Sequence, residues 1–388
     1  MTSLLLIPAI GQEDLLNQNI AGLSLAQRLF FHGQRAGIGR TVFVVGDKEP
    51  FSAFKDMEDQ FLTSHSQLRD TTFDRCIVCQ PGILPDIQCL EWLLKTDLKR
   101  HEVFELPGIF MFFSSDVAFE LKRAFEPDGY FKLLEFLHTF LSSRPAICEQ
   151  GSIYDISRPE NIPKAEKALF RSLIKDTEGF MSRFVERRIS LAISRRLVNT
   201  SITPNQITLI SILIGLLGAW FISIERGLWQ ITGSVLFLIH SIVDGCDGEI
   251  ARIKFMESRL GGILDFWGDN IVHAAVFAAI GIEWWRRTGS ALPLFLSSTA
   301  VVGTFLCALL IYISTMRKKT GQGPMYTSVS SSDKKARLVK IADFLSRRDF
   351  IYLVVILAWY RHLDWFLIAS AIGTMVFLFM LIWIRIRN

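Results

Sequence analysis

Residues 244–269, DGCDGEIARIKFMESRLGGILDFWGD, carry four aspartates: Asp244, Asp247, Asp265 and Asp269. The first pair closes an apolar run (228–243), and the second pair opens another (266–280). Carboxylates at the mouths of membrane spans are costly to bury, so acids placed there point to function. On a helix, the i,i+3 spacing of Asp244 and Asp247 puts both on one face, and the i,i+4 spacing of Asp265 and Asp269 does the same. If the two faces meet, mutual repulsion requires cations between the carboxylates. Oxygen-only ligands suit a hard divalent ion beside a substrate phosphate. The intervening residues agree with this: Gly248 lets a ligand approach the backbone, Ala251 keeps one face shallow, Arg252 supplies a forked cation, and Gly261 again leaves room. The plainer alternative, a solvated acidic loop with glycine turns, does not account for helical spacing on both sides.

The pattern D-x2-D-G-x2-A-R-x8-G-x3-D-x3-D stands complete as Asp244, Asp247, Gly248, Ala251, Arg252, Gly261, Asp265 and Asp269. It resembles the signature of the CDP-alcohol phosphotransferase family of integral membrane enzymes. The resemblance runs from near residue 176 to the C-terminus. It implies an all-α domain of six transmembrane helices (201–388), a homodimer through those helices, and two divalent ions, Mg2+ or Mn2+. It also implies a CDP-alcohol donor and a hydroxyl acceptor such as inositol phosphate or glycerol phosphate, with release of CMP. By the same resemblance Asp244, Asp247, Asp265 and Asp269 hold the ions, and Asp269 takes the proton of the incoming hydroxyl. Asp244, Gly248, Ala251, Arg252 and Gly261 place the cytidine diphosphate, joined by Asn205 and Thr208 from a P-N-x-x-T at the entry of the first span. As local structure that entry is simply a turn and helix start, with proline in the first turn.

The 388 residues allow two domains, and composition divides them: an ordinary soluble first part, then several apolar runs. A net charge of +4 is modest, its basic residues cluster beside the apolar runs, and no nucleic-acid partner is expected. Six cysteines are scattered; Cys76 and Cys79 form a C-x-x-C inside the apolar stretch CIVC without a second pair, which reads as a strand and not a zinc or redox site. Residues 3–10 are too short and lack the basic flank for a secretory signal.

In residues 1–150, apolar strands at 3–9, 41–45, 75–79 and 103–113 alternate with helices at 20–36 (ended by Gly37) and 86–94. The alternation predicts a three-layer α/β domain, Rossmann-like, with a largely parallel sheet. Residues 20–47 resemble the start of sugar-phosphate nucleotidyltransferase domains. The glycine-rich, basic phosphate loop expected before them is replaced by AIGQED (9–14), and CIVCQPG (76–82) lacks the expected metal aspartate. The domain is therefore expected to keep the fold without the chemistry, as a regulator or scaffold. Residues 151–163 read as a linker, and 164–197 as a helical segment whose arginines (171, 183, 187, 188, 195 and 196) lie on anionic headgroups. Residues 175–208 also resemble the junction of bifunctional proteins that join an inositol-phosphate cytidylyltransferase to a di-myo-inositol phosphate synthase.

Six apolar runs follow, at 207–224, 228–243, 263–282, 292–314, 350–359 and 365–384. The basic segment between the fourth and fifth holds Arg317, Lys318, Lys319, Lys334, Lys335, Arg337, Lys340, Arg347 and Arg348, which places it, the aspartates and the N-terminal domain on the cytoplasmic side of a prokaryotic inner membrane. Arg347 and Arg348 are candidates for an acceptor phosphate. Gly215 and Gly218 either permit close helix packing or face lipid. His240 and His273 lie near the acids as satisfied polar residues. Two competing functions are a transporter or channel using the acids as a pathway, and an inactive regulatory membrane protein. The fixed gaps of the motif and the lack of an internal repeat weigh against the first, and the intactness of all eight positions against the second.

Overall fold

The computed structural model describes residues 3–46, 59–63, 73–116, 129–174, 186–225, 227–316 and 350–387. The chain divides into two compact units, Met1–Leu169 and Phe170–Asn388.

In the first unit, strands β1 (Ser3–Pro8), β4 (Arg40–Val44), β5 (Phe61–Leu62), β6 (Arg75–Cys79), β8 (Glu102–Leu106), β9 (Ile109–Phe113) and β10 (Ser142–Pro145) form one sheet in the order β10-β8-β9-β6-β1-β4-β5. The pairs β1–β4, β1–β6, β4–β5 and β8–β10 are parallel; β6–β9 and β8–β9 are antiparallel. Alternation along the strands sends side chains to two cores. Leu5, Ile7, Phe43 and Ile77 meet helices α2 (Leu25–Ala36) and α3 (Ile87–Lys95); Leu4, Leu6, Val42 and Val78 meet α4 (Gly129–Phe140) through Leu133 and Leu137. The result is the expected three-layer α/β arrangement with a parallel-rich sheet.

Three boundaries differ from expectation, each for a local reason. The helix expected from residue 20 begins at Leu25. Ala21 and Gly22 take left-handed φ values of 49° and 82°, turning the short strands β2 (Asn19–Ile20) and β3 (Leu23–Ser24) into a hairpin, and Ser24 with Gln27 then forms a reciprocal cap on α2. The single strand expected at 103–113 is a hairpin, β8 and β9, turned at Gly108 (φ 73°). The expected linker also starts later than residue 151. Strand β11 (Ile153–Asp155) pairs with β7 (Ile83–Pro85), and Ile156 and Ala165, the latter on α5 (Ile162–Arg171), are buried in the first unit's core. Near the start of the chain, the short α1 (Glu13–Leu16) follows β1.

Cys76 and Cys79 lie inside β6, fully buried, and all six cysteines are free thiols. Burial pushes the Cys79 thiol up to about 12 and raises Cys76 as well, so neither supplies the thiolate that redox or zinc chemistry needs.

The second unit contains α6 (Arg187–Leu197), α7 (Pro204–Ile222), α8 (Gly227–Ile253), α9 (Arg259–Thr288), α10 (Leu292–Ile311), α11 (Phe350–Trp359) and α12 (Leu363–Arg387), with a π-helical turn Tyr312–Met316 after α10. Five of these helices are long and apolar enough to cross a membrane; α11, at ten described residues, is not. The expected count of six spans therefore stands at five among the described residues. Large side chains such as Leu213, Phe295 and Phe379 are exposed on the outer faces, as a lipid environment requires. The acid-bearing helices run past the apolar stretches, α8 to Ile253 and α9 from Arg259. Apolarity marks only the part of a helix in lipid, whereas the carboxylates turn inward.

α7 and α8 cross at glycine. A Cβ on Gly233 would lie 2.5 Å from the Gly218 carbonyl and 2.7 Å from the Ile222 amide, both backbone atoms that cannot move aside. A Cβ on Gly215 would strike Val272 of α9 at 2.5 Å and His240 at 3.0 Å. Gly215 and Gly218 thus serve close packing and do not face lipid. Gly233→Val should cost about 1–3 kcal/mol, as overpacking of a filled interior does. Thermal unfolding in detergent is the check, and an unchanged midpoint would refute the tight crossing.

His32, wholly buried on α2 with Nδ1 2.8 Å from the Pro85 carbonyl oxygen, is held down at about 3, chiefly by desolvation. Because this lies below the ordinary 6.5, the unfolded chain takes up a proton between those values that the folded chain refuses. The associated stability is full above pH 6.5 and falls below it by about 1.4 kcal/mol per pH unit. His32→Gln should flatten this acid limb; a full-length melting profile of unchanged pH slope would show that other groups dominate.

Candidate functional site

α8 and α9 are joined by a turn in which Phe255 adopts φ 55° and the Met256 amide donates to the Ala251 carbonyl at 2.8 Å. Ser258 then caps α9, its hydroxyl oxygen accepting the Gly261 amide at 3.0 Å. The two helices therefore double back, and their acidic faces meet.

Asp244 and Asp247 of α8 and Asp265 of α9 each offer a carboxylate oxygen within 4.8 Å of the others. Asp244 and Asp247 are buried and Asp265 is half-buried. At that spacing each pair of charges repels by roughly 3 kcal/mol at an effective dielectric near 20. The donor set, three hard oxygens and no sulfur or imidazole, fits a divalent ion such as Mg2+ or Mn2+. Asp247 is oriented by its neighbours: one oxygen accepts the Thr208 hydroxyl and the other the Gly248 amide. Thr208 reaches it because α7 starts under a Thr203–Gln206 capping box with Pro204 at its first position.

Asp269 is not in that group. Its Oδ1 lies 3.4 Å from Nε2 of the buried His240, whose Nδ1 is 2.8 Å from the Ser211 carbonyl oxygen. Of the four expected ligands, three thus stand in one group, and the fourth, Asp269, meets a histidine. His240 becomes part of the site, a role that its single position in an apolar run did not signal.

A cavity of about 380 Å³ opens over these residues, lined by Asn205, Thr208, Asp247, Gly248, Ala251, Arg252, Gly261, Asp265 and Asp269 together with Asn270 and His273. Every expected nucleotide-side residue except Asp244, which is buried behind it, borders this space. Arg252 Nε is buried with no hydrogen-bond partner among the described residues, a donor suited to an anion. A Cβ on Gly261 would lie 2.8 Å from Asn205 Oδ1, so this glycine makes room for Asn205 more directly than for a ligand. Arg347 and Arg348, the expected acceptor-phosphate residues, lie outside the described residues.

Glu249, a variable position of the motif, is wholly buried and was not expected to matter. Ser190 and Ser194 of α6 donate to its two oxygens at 2.6 Å each, and Arg187 pairs with it at 2.8 Å. Arg187 thus points inward, while Arg188, Arg195 and Arg196 remain exposed where headgroup contact was expected of all. The i,i+4 serines and an acid in the apolar end of a span were the available signals.

Residues 201–382 match the CDP-alcohol phosphatidyltransferase family. Among curated proteins, a bifunctional IPC transferase and DIPP synthase of Thermococcus kodakarensis is 37% identical over 127 residues, 32% of this chain and 28% of that one. One of the same description from Aquifex aeolicus is 29% identical over 224 residues, 56% of this chain and 48% of that one. The chain thus spans less than half the length of these two relatives. An archaetidylinositol phosphate synthase of Pyrococcus horikoshii is 27% identical over 171 residues, 43% of this chain and 83% of that one.

The geometry sets Asp265 within the three-carboxylate group and Asp269 against His240. Asp265→Asn should severely weaken Mn2+ binding by the detergent-solubilised protein, measured by electron paramagnetic resonance, while Asp269→Asn should leave most of it. Equal weakening would restore Asp269 to the ligand set.

Proposed function

We propose that, with residues 201–382 a CDP-alcohol phosphatidyltransferase domain, the chain is an integral membrane CDP-alcohol phosphotransferase. It moves a substituted phosphate from a CDP-alcohol to an acceptor hydroxyl and releases CMP. The observation that carries this is the convergence of Asp247, Asp265, Thr208 and Arg252 on one cavity, with Asp244 grouped with the two cavity-lining carboxylates. Asp244, Asp247 and Asp265 would hold two divalent ions, Mg2+ or Mn2+, with Asp269 beside them. Bound there, the ions supply charge neutralisation at the pyrophosphate. Arg252 directs its free Nε–H to a phosphate oxygen, and Asn205, Gly248, Ala251 and Gly261 border the nucleotide. Asp269 accepts the proton of the acceptor hydroxyl, which attacks the β-phosphorus as the bond to CMP breaks. His240, anchored on the Ser211 carbonyl, holds Asp269 in place.

The donor is either a lipid such as CDP-diacylglycerol or a soluble CDP-inositol. The description of the Pyrococcus relative favours an inositol phosphate acceptor over glycerol phosphate, with Arg347 and Arg348 as candidates for its phosphate. The basic residues of 317–348 support a cytoplasmic-facing site in a prokaryotic membrane, and a homodimer through the transmembrane helices follows the family pattern. The first unit is proposed as a nucleotidyltransferase-like domain without activity. Glu13, in the stretch where a basic phosphate loop is expected, accepts the Gly46 amide at 2.8 Å, so an acid is fixed where a triphosphate would need positive charge.

CMP release by the purified full-length protein with Mg2+, against a matrix of CDP-donors and alcohol acceptors, tests the reaction and names the pair. Asp269→Asn should keep nucleotide binding and lose turnover. CDP binding without release by wild type would point to another acceptor, and neither binding nor release would return the transporter or regulatory alternative.

A further inference from the structure

Glu249 sits on the back of the motif helix. At 100° per residue it lies roughly 140–160° round α8 from Asp244 and Asp247. A carboxylate with no exposure at the end of a membrane span is tolerated only if its oxygens are fully matched. α6 supplies that match from two hydroxyls and one guanidinium, all on one helix. The same helix touches α8 at two further points. The Cys246 thiol donates to the Ser190 carbonyl at 3.5 Å, and a Cβ on Gly245 would sit 3.8 Å from Ser190 Cβ. Ile193 and Leu197 pack on Cys246 and Ile250. The contacts thus follow the 245/246/249/250 stripe, opposite the aspartates.

Such a clamp has consequences for the aspartates because a helix can slip about its axis. Side chains stand about 5–6 Å from that axis, so a 20° rotation of α8 carries a carboxylate oxygen about 2 Å. Metal ligation tolerates about 0.2 Å. Apolar packing in lipid resists rotation weakly, since tails and side chains are equally apolar. Directional bonds resist it strongly.

We propose that α6 is a positioning element of the site: Arg187, Ser190 and Ser194, closing on Glu249, set the rotation of α8 and thereby aim Asp244, Asp247 and Arg252. This rests on the metal-site reading above. Arg187 and Glu249 both act electrostatically on the Arg252 guanidinium, so the clamp also sets the charge balance behind the phosphate-facing cation.

The test is Mn2+ titration, followed by electron paramagnetic resonance, of the full-length protein in detergent as wild type, Ser190→Ala/Ser194→Ala and Glu249→Gln. The dissociation constant should rise on the order of tenfold in both variants, as it does when residues that orient ligands are removed, with the number of sites per folded molecule unchanged. If the clamp only stabilises the fold, the number of sites falls while the remaining sites keep wild-type affinity, and the proposal is overturned. Should either variant fail to fold, Arg187→Lys, which keeps the charge and alters the reach, carries the same test with a smaller rise expected. Wild type that binds no Mn2+ would remove the metal site itself. Wild type that binds, with variants of equal affinity, would remove the clamp alone.

Discussion

Three carboxylates converging within 4.8 Å at the end of membrane helices cannot all stay ionised without a compensating cation. Everything around them in the second unit follows from tolerating that arrangement until the cation arrives. Asp247 is held by a hydroxyl from another helix and by an amide of its own. The α8–α9 turn brings the second acidic face onto the first, at the expense of one left-handed residue, Phe255. On the proposed reading, that repulsion is what would favour a divalent ion between the three carboxylates.

Holding charges at this precision requires helices closer than ordinary side chains allow. Gly218 and Gly233 let α7 and α8 touch backbone to backbone, and at the start of α7 Thr208 donates to Asp247. Gly215, one turn earlier on α7, leaves room for Val272 of α9 and His240 of α8, and His240 meets Asp269 outside the three-carboxylate group. On the far face of α8, α6 replaces lipid with directional donors. The site is therefore braced from three directions, and only one of them carries the recognisable motif.

The first unit contrasts with this. Its sheet is apolar on both faces and its polar groups are spent on structure. Arg28 bonds the Ile20 and Ala21 carbonyls, and Asp86 caps α3 through the Cys89 amide. Its buried thiols are too deeply desolvated to ionise.

The spacing of Asp244, Asp247, Asp265 and Asp269 was sufficient by itself to locate the site, because helical periodicity puts i,i+3 and i,i+4 residues on one face whatever surrounds them. Alternating apolar stretches likewise determined the three-layer first unit, since burial on both faces leaves a continuous hydrophobic signal. Periodicity says nothing about which faces meet. That Asp269 turns to His240, that Gly261 shelters Asn205, and that Arg187 leaves the surface for Glu249 were decided by tertiary packing alone. These partners are 29 to 62 residues apart in the chain. A buried charge takes whatever donor the fold brings within reach, and only the folded geometry specifies which donor that is.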